Sequence, residues 1–366
     1  MKIRSHVIRL KPNNKQATYF KKACGCQRFV YNWGLDRWQK EYEAGNKPSG
    51  RSLKKEFNSI KKKEFPFIME VTKCVVDSAF ENLNKAFNNF FRSKNKKSYP
   101  KFHKKGVKDS FTVDNSKFSI DGKMIRIPKL GWVRMREDLR FSGRIMSATI
   151  KRKADMWFVS ISVATNSTGD ENQVSKAVGI DLGIKTLAAL SDGTVFENPK
   201  IYYTYEKQLK RAHKNLSRKK KGSKNRAKAK LKLSKLYYRI ICVVDDYLHK
   251  MTRQIANNYH TVVLEDLNVK GMMKNRKLSK AIAQSNFFKL RLFLLCKCKD
   301  VRFVNRFYPS SKTCSACGNT QDMSLQKRTY KCKKCGIQID RDLNAAINIL
   351  RQGLPEVKPV ETKALA

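Results

Sequence analysis

The chain has 366 residues, with 79 Lys or Arg against 30 Asp or Glu, for a formal net charge of +49. A chain of this length buries at least one sizeable core, and without a run of about 18 apolar residues it has no membrane span. So large an excess of one sign destabilises a compact state by self-repulsion unless a polyanion neutralises it, which points to nucleic acid rather than to an anionic membrane surface. The opening MKIRSHVIRLKP has no apolar h-region and does not read as a signal peptide. Of the ten cysteines, Cys24, Cys26, Cys74, Cys242, Cys296 and Cys298 share no spacing and fall mostly in apolar, helix-like surroundings. There a reduced Cys acts as a small hydrophobe, so a reducing, cytoplasmic setting fits best.

The first segment, MKIRSHVIRL, alternates well enough to be an edge strand. From Gln16 to Tyr42 the pattern is helical, with Tyr19, Phe20, Phe29, Tyr31, Trp33 and Trp38 set among Lys and Arg; packing in a helix core is the plainer reading of each ring. Residues 71–91 form a second helical stretch with Val71, Val75, Ala79, Leu83, Ala86 and Phe90 on one face. A basic, irregular link follows over 92–106. Between Phe111 and Val163 the texture is strand-like, with runs such as MIRIP, WVRM and MWFVSISVA separated by turn signals like SIDGK. The first half thus reads as a small β-barrel or curled sheet, entered by one strand and interrupted by a helical insertion of about 90 residues.

The polar stretch STGDENQ (167–173) reads as a domain boundary. Beyond it, AVGIDLGIKTLAALSDGTVFENP gives an apolar strand, a second strand, a turn at Ser191–Asp192–Gly193 and a short third strand. Glu206 to Arg239 is one long helical region with fifteen Lys/Arg and a single Glu. It reads as a solvated arm with few internal ion pairs, and so as a surface for an external polyanion. TVVLEDLNV (261–269) is a buried strand ending in acids. A helix with Phe287, Leu290, Phe293 and Leu294 then leads to the strand VRFVNRF, two cysteine pairs and a closing helix. Strands alternating with helices make this half an α/β domain.

Two sets of residues carry chemistry. Cys314 and Cys317, then Cys332 and Cys335, form two C-x-x-C pairs, each followed by glycine (Gly318, Gly336). Two such knuckles supply four thiolates to a tetrahedral Zn²⁺, and a four-Cys set implies a closed structural site. The residues between the pairs suit a two-stranded ribbon. The second set is acids at three places in the chain. Asp181 ends a strand in VGIDLG, Glu265 ends VVLE, and Asp340 and Asp342 open the last helix. Carboxylates at the ends of buried strands are costly without positive partners. A few of them holding two Mg²⁺ ions is the arrangement that hydrolyses phosphodiesters. Taken singly, each has a plain alternative as turn residue, ion-pair partner or N-cap. On the helix, 342 shares a face with Ala345, Ala346 and Ile349, the packing face, while 340 falls with Asn344, Ile347 and Asn348. Asp342 therefore points inward and Asp340 suits the cap or a solvated turn.

GIDLGIKTLAAL, VVLEDLNVKGM, YPSSKTCSACG…CKKCG and DRDLNAAINIL, in that order over about residues 177–350, resemble the TnpB family of transposon-encoded proteins, relatives of the compact type V CRISPR effectors. The resemblance implies an RNA-guided DNA endonuclease of multidomain α+β and α/β architecture. A wedge-like β-barrel (1–10 and 107–170) carries a helical recognition insertion (11–106). A RuvC-like domain of RNase H fold (171–309 and 338–352) follows, with an inserted zinc ribbon (310–337) and a loose tail (353–366). It implies Asp181, Glu265 and Asp342 as the catalytic acids and Mg²⁺ ligands, and Zn²⁺ on the four cysteines. Its partners would be a guide RNA from the transposon end, held through its backbone, and double-stranded target DNA beside a short flanking motif. Alternatives are a cleavage-deficient RNA-guided DNA-binding repressor and a basic zinc-ribbon RNA-binding protein.

Overall fold

The structure, a computed structural model, describes residues 2–92, 98–107, 109–114, 117–165, 176–324 and 327–354. The chain forms two compact units, Met1–Gly169 and Asp170–Ala366. The division falls within the polar stretch 167–173, which itself lies outside the described residues, as does the expected tail beyond 354.

The first unit runs β1 (Lys2–Lys11), α1 (Asn14–Glu43), α2 (Gly50–Glu64), a short 3-10 helix (Pro66–Glu70) and α3 (Cys74–Arg92). Six strands follow: β2 (Ser110–Asp114), β3 (Ser119–Asp121), β4 (Met124–Ile127), β5 (Gly131–Met135), β6 (Arg144–Lys153) and β7 (Met156–Thr165). The seven strands make one antiparallel sheet, β2-β6-β7-β1-β5-β4-β3. β1 is therefore central rather than an edge. Lys2 to Arg9 pair with β7, and Leu10 and Lys11 pair with β5. Its alternation reports one wet face, with Ile3 and Val7 exposed and Ile8 and Leu10 buried. Face burial says nothing about how many neighbours a strand has in the ladder.

Asn13 caps α1 in a capping box with Gln16. Phe20, Tyr31 and Trp38 are buried, and Tyr19, Phe29 and Trp33 pack against the same core, as expected of helix-core rings. Phe20 lies 5.9 Å from Phe111 and 5.0 Å from Trp157 between ring centroids, which seats α1 on the sheet. The buried face of α3 includes Val75, Val76, Ala79, Phe80, Leu83 and Phe87, so the expected stripe holds at Val75, Ala79 and Leu83 and shifts only at Ala86 and Phe90, which are half-buried. Val71 is buried but precedes the helix. Helix α2 has only Gly50, Leu53 and Phe57 buried, too weak a pattern among its lysines to be read from sequence.

The second unit contains β8 (Ala177–Asp181), β9 (Thr186–Leu190), β10 (Val195–Glu197), α4 (Ile201–Thr204), α5 (Glu206–Ser217), α6 (Lys224–Asn258) and β11 (Thr261–Glu265). It continues with α7 (Val269–Met272), α8 (Ser279–Ser285), α9 (Phe287–Lys297), β12 (Asp300–Val304), β13 (Thr329–Lys331), β14 (Gln338–Asp340) and α10 (Arg341–Gly353). The basic region 206–239 is two helices rather than one arm. Gly222, at φ 85°, turns the chain, Ser223 caps α6, and the Arg226 guanidinium donates to the carbonyls of Leu216 and Lys219.

The central sheet has the order β10-β9-β8-β11-β12, with β8, β11 and β12 parallel and β9 and β10 antiparallel. Alternate residues take opposite faces of a strand. Val178 and Ile180 of β8, with Val262 and Leu264 of β11, join the core formed with Ile240, Leu248 and Ile255 of α6 and Leu290 and Leu294 of α9. Gly179 and Val263 face the other way, toward α10. A Cβ on Gly179 would stand 2.2 Å from the Ala346 carbonyl oxygen and 2.6 Å from the Leu350 nitrogen. Helix and strand thus meet backbone to backbone. Among the described residues no helix is long and apolar enough to cross a membrane.

Gly179→Ala has nowhere to put its methyl group, because the atoms it meets are main chain. We expect it to lower the stability of the second unit by roughly 1–3 kcal/mol, the usual cost of overpacking. Thermal unfolding of Gly179→Ala beside the parent chain measures this, and an unchanged midpoint would contradict the close approach.

Candidate active site and cysteine cluster

The alternation that turns Gly179 and Val263 toward α10 turns Asp181 and Glu265 the same way, each two residues further along its strand. Ile180 pairs with Leu264 in the parallel ladder, so continuing the register sets Asp181 level with Glu265 on adjacent strands. Both lie at the carboxyl ends of their strands. β8 is also where the strand order reverses, being flanked by antiparallel β9 and parallel β11, and such switch points open a crevice for ligands.

Helix α10 completes the group. Asp340 is its N-cap, its Oδ1 accepting from the Asp342 N–H at 2.9 Å and the Leu343 N–H at 3.0 Å. Asp342 stands in the first turn, on the buried side with Ala345, Ala346 and Ile349. The Asp181 carboxyl is lifted to about 7, first by burial and then by the charges of Glu265 and Asp342, with Arg341 opposing. Burial also raises Glu265, and a hydrogen bond donated by the Ser310 hydroxyl to its Oε1 opposes the shift. Asp342 is met by Arg341 at 3.2 Å and by Arg328 at 3.4 Å. Burial, with the charges of Glu265 and Asp342 acting on Asp181, makes this a concentrated negative site, whose donor set suits a hard divalent cation.

The neighbouring acid Asp266 has a different environment. Arg291 and Arg306 both bind it and hold its carboxyl below the usual range. It is neutralised on the spot and leaves Glu265 as the acid of that pair facing α10.

The four cysteines converge. Their Sγ atoms lie within 4.8 Å of one another, a cluster able to hold a metal ion. Cys314 Sγ is 3.6 Å from Cys335 Sγ, and Cys317 Sγ is 3.6 Å from Cys332 Sγ. Disulfide sulfurs would stand about 2.05 Å apart. Four sulfurs at about 2.3 Å from a central ion would stand about 3.8 Å apart, so the cluster has tetrahedral zinc dimensions. Gly318 and Gly336 take φ of 72° and 74°, the left-handed turn each knuckle requires. Backbone N–H groups of Cys335 and Lys334 point at Cys332 Sγ and bring that thiol down to about 6. Among the described residues, the stretch between the pairs has no strand pairing within itself. Each knuckle closes its own hairpin, Thr313 bridging Thr320 around the first and β13 pairing with β14 around the second.

The sequence reading missed the residues that fasten this cluster to the acids. Asn344 and Asn348 were expected on the side of α10 away from the apolar face, yet they are 0% and 3% exposed. Asn344 accepts from the Ser315 N–H and donates to the Thr313 carbonyl. Asn348 donates to the carbonyls of Ser310 and Thr313. Ser310, which contacts Glu265, is thereby tied to α10. The only signal in the sequence was Asn at i and i+4 on one helix, which is indistinguishable from a wet face. Two of the lone cysteines, Cys242 and Cys296, are exposed rather than packed, while Cys24, Cys26 and Cys74 are buried.

Comparison with known proteins places this geometry in a family. Residues 160–276 match a family described as "Probable transposase", 287–349 one described as "Cas12f1-like, TNB domain", and 1–47 one described as "Helix-turn-helix domain". Over that last range the structure has a strand and a single 30-residue helix. A Streptomyces pristinaespiralis protein named "Putative RNA-guided DNA endonuclease" is 33% identical over 365 residues, covering 96% of this chain and 89% of that protein. An Escherichia coli K12 protein named "Putative RNA-guided DNA endonuclease InsQ" is 30% identical over 375 residues, covering 96% and 92%. The protein of a solved Cas12f1–sgRNA–target DNA complex shares the fold, with TM-score 0.52, 14% identity and coverage of 92% and 83%. Similarity to these relatives along nearly the whole of both chains, with the motif order around Asp181, Glu265 and the cysteine pairs, establishes that the chain belongs to the TnpB family.

Proposed function

We propose that this chain is an RNA-guided DNA endonuclease that hydrolyses phosphodiester bonds at Asp181, Glu265 and Asp342. The observation that carries the reading is the gathering of these acids at buried strand ends, where burial first and then the charges of Glu265 and Asp342 lift Asp181 to about 7, in a chain of net charge +49. The three acids would hold Mg²⁺, and Mg²⁺ bound there supplies a lowered water pKa and neutralises charge at the scissile phosphate. The chain's own residues do the rest. Ser310 fixes the carboxylate of Glu265, Asp340 holds the first turn of α10 so that Asp342 faces the strands, and Arg341 and Arg328 border the acidic group with positive charge. The four cysteines hold a structural Zn²⁺. A repressor that has lost cutting is the weaker reading, because Asp181, Glu265 and Asp342 are all present in the sequence.

In this reading the five-stranded sheet with α10 is the RuvC-like domain of RNase H fold, and residues 310–337 are its zinc ribbon. The seven-stranded sheet of the first unit is the wedge-like part, and α1 to α3 are the recognition insertion. The partners are a guide RNA and a double-stranded target with a flanking motif. The hairpin of α5 and α6 and the Lys/Arg of α1 and α2 supply phosphate-binding charge. The resemblance in fold to a protein solved with guide RNA and target DNA supports this assignment.

Asp181→Ala, Glu265→Ala and Asp342→Ala should each abolish cutting of a matched target in Mg²⁺ while guide and target binding persist. Asp340→Ala should keep cutting and lose roughly 0.5–2 kcal/mol of stability, the cost of a missing cap. Gel assays of cleavage and binding on the four variants separate the roles; equal loss of cutting from Asp340→Ala would reverse the assignment of the two aspartates.

The raised Asp181 carboxyl also fixes a sign. Its proton is held more tightly folded than unfolded, so without metal it withdraws stability as pH climbs from about 3.8 to about 7. Asp181→Asn should therefore be more stable than the parent in EDTA, by a margin that widens over that range and is level above it. Added Mg²⁺ should narrow the margin. A difference in melting temperature that stays flat from pH 4 to pH 8 would count against the clustered acids.

Cys332→Ser should release the zinc and loosen the contact of the ribbon with α10, lowering both thermal stability and cutting. Zinc content by mass spectrometry and unfolding curves on the same sample test this; full zinc retention with parent-like stability would refute the structural site.

A further inference from the structure

Residues 304–310 form a short arch with both feet on Glu265. At one foot, Val304 is the ladder partner of Glu265. At the other, the Ser310 hydroxyl donates to its carboxylate. The path between is rigidly held. Asn305 turns the chain, its Oδ1 accepting from the Phe307 N–H at 2.9 Å and its carbonyl from the Tyr308 N–H at 3.0 Å. Arg306 is pinned to Asp266, Tyr308 packs inward against Val263, Val304 and Ile349, and the Ser310 carbonyl is bound by Asn348. At the crown stands Phe307, 85% exposed. It is three residues from each foot, so its Cα lies no more than roughly 11 Å from either. Among the described residues no ring or cation contact holds the Phe307 side chain. Single exposed apolar residues are common on protein surfaces, but this one is held on a braced turn directly beside the acidic group.

We propose that Phe307 is a stacking platform for one unstacked nucleobase next to the phosphodiester being cut. A flat apolar ring on a rigid support offers its face to any base, without preference for sequence. Within a duplex both faces of an interior base are already covered, so the ligand is a single strand or a strand drawn out of its duplex. Stacking a base at the crown holds the adjoining phosphate over Asp181, Glu265 and Asp342, and Arg306 lies beside it. The inference rests on the nuclease reading above and names the form of DNA that enters the site.

The test uses the full chain loaded with its guide RNA. In an Asp181→Ala background the strand stays intact, and 2-aminopurine is placed at successive positions around the cut. This base is dim when stacked and bright when free. We expect one position to be dim, to become bright in Asp181→Ala/Phe307→Ala, and to dim again in Asp181→Ala/Phe307→Trp. With Asp181 present, Phe307→Ala should slow cutting roughly 10- to 100-fold, as for loss of one base–aromatic stack, while target binding holds and Phe307→Trp restores the rate. If the parent cuts but no position responds to Phe307→Ala, the stacking inference is overturned and the nuclease reading stands. A parent-like cutting rate in Phe307→Ala, or a change in its oligomeric state or melting temperature that marks the ring as a protein contact, overturns it too. If the parent leaves a matched target uncut, the nuclease reading falls and takes this inference with it.

Discussion

The approach of α10 to β8 is the contact on which the acidic site depends. With no side chain at Gly179, the Ala346 carbonyl reaches the strand itself. The helix runs against the strand, so Asp342, one turn before Ala346, and Asp181, two residues after Gly179, lie in the same direction from that contact. One helical turn advances about 5.4 Å and two strand residues about 6.7 Å. The two carboxylates therefore come nearly level, and Glu265 joins from the adjacent strand by register alone. A helix held further off by even one methyl group would lose Asp342 from the group, though neither strand had changed.

A contact that brings like charges together must be held by something else. Apolar packing of Ile349 with Val263 and Val304 contributes, but it forms a small cluster. Polar groups do the rest. Asn344, Asn348 and Arg351, spaced along one side of α10, bind main-chain groups of Thr313, Ser315 and Ser310 around the first cysteine knuckle. Buried amides bonded to backbone are costly to leave unsatisfied, so they fix the seating of the knuckle on the helix. Ser310 lies only four residues before Cys314, the first cysteine of the cluster able to hold a metal ion. The segment before the cysteine cluster is thereby linked to Glu265, through the bonds of Asn348 to Ser310 and Thr313 and of Ser310 to Glu265.

What could be read from the sequence follows from how local each signal was. Strands β8, β9, β10 and β11 and the turn at Gly193 were legible because each is a short apolar run ended by a turn residue. The cysteine pairs were legible because ligand spacing is local. The place of β1 in its sheet was not, since one strand cannot show what pairs with it across more than a hundred residues. The break between α5 and α6 was hidden because lysines suit helix and loop alike in a region with hardly any apolar periodicity, and Gly222 alone marked the turn. Asn344 and Asn348 were misplaced because binary patterning sorts residues by polarity, while these two are buried for their hydrogen bonds. That Asp340 caps α10 while Asp342 lies on its packing side was legible, because cap and packing face differ by helical geometry within a few residues.

In a chain with 79 basic residues and 30 acidic ones, the ordinary fate of a carboxylate is to be claimed by an arginine or lysine. Asp266 shows that outcome, bound by Arg291 and Arg306 and unavailable to anything else. An acid that must wait for a cation has to be kept from it. Asp181 and Glu265 are kept by position, at strand ends beneath a helix, where burial raises their proton affinity and the partner of Glu265 is a neutral hydroxyl. Asp342 lies nearer the surface and is met by Arg328 and Arg341 at 3.4 and 3.2 Å, looser than the 2.7 Å contact of Arg291 with Asp266. The two acidic pairs at this site, Glu265 with Asp266 and Asp340 with Asp342, are divided on the same terms. Asp266 and Asp340 are satisfied by neighbours close in the fold, and Glu265 and Asp342 are the members left to face Asp181. Such an arrangement concentrates negative charge at buried strand ends, and its oxygen donors suit a divalent cation.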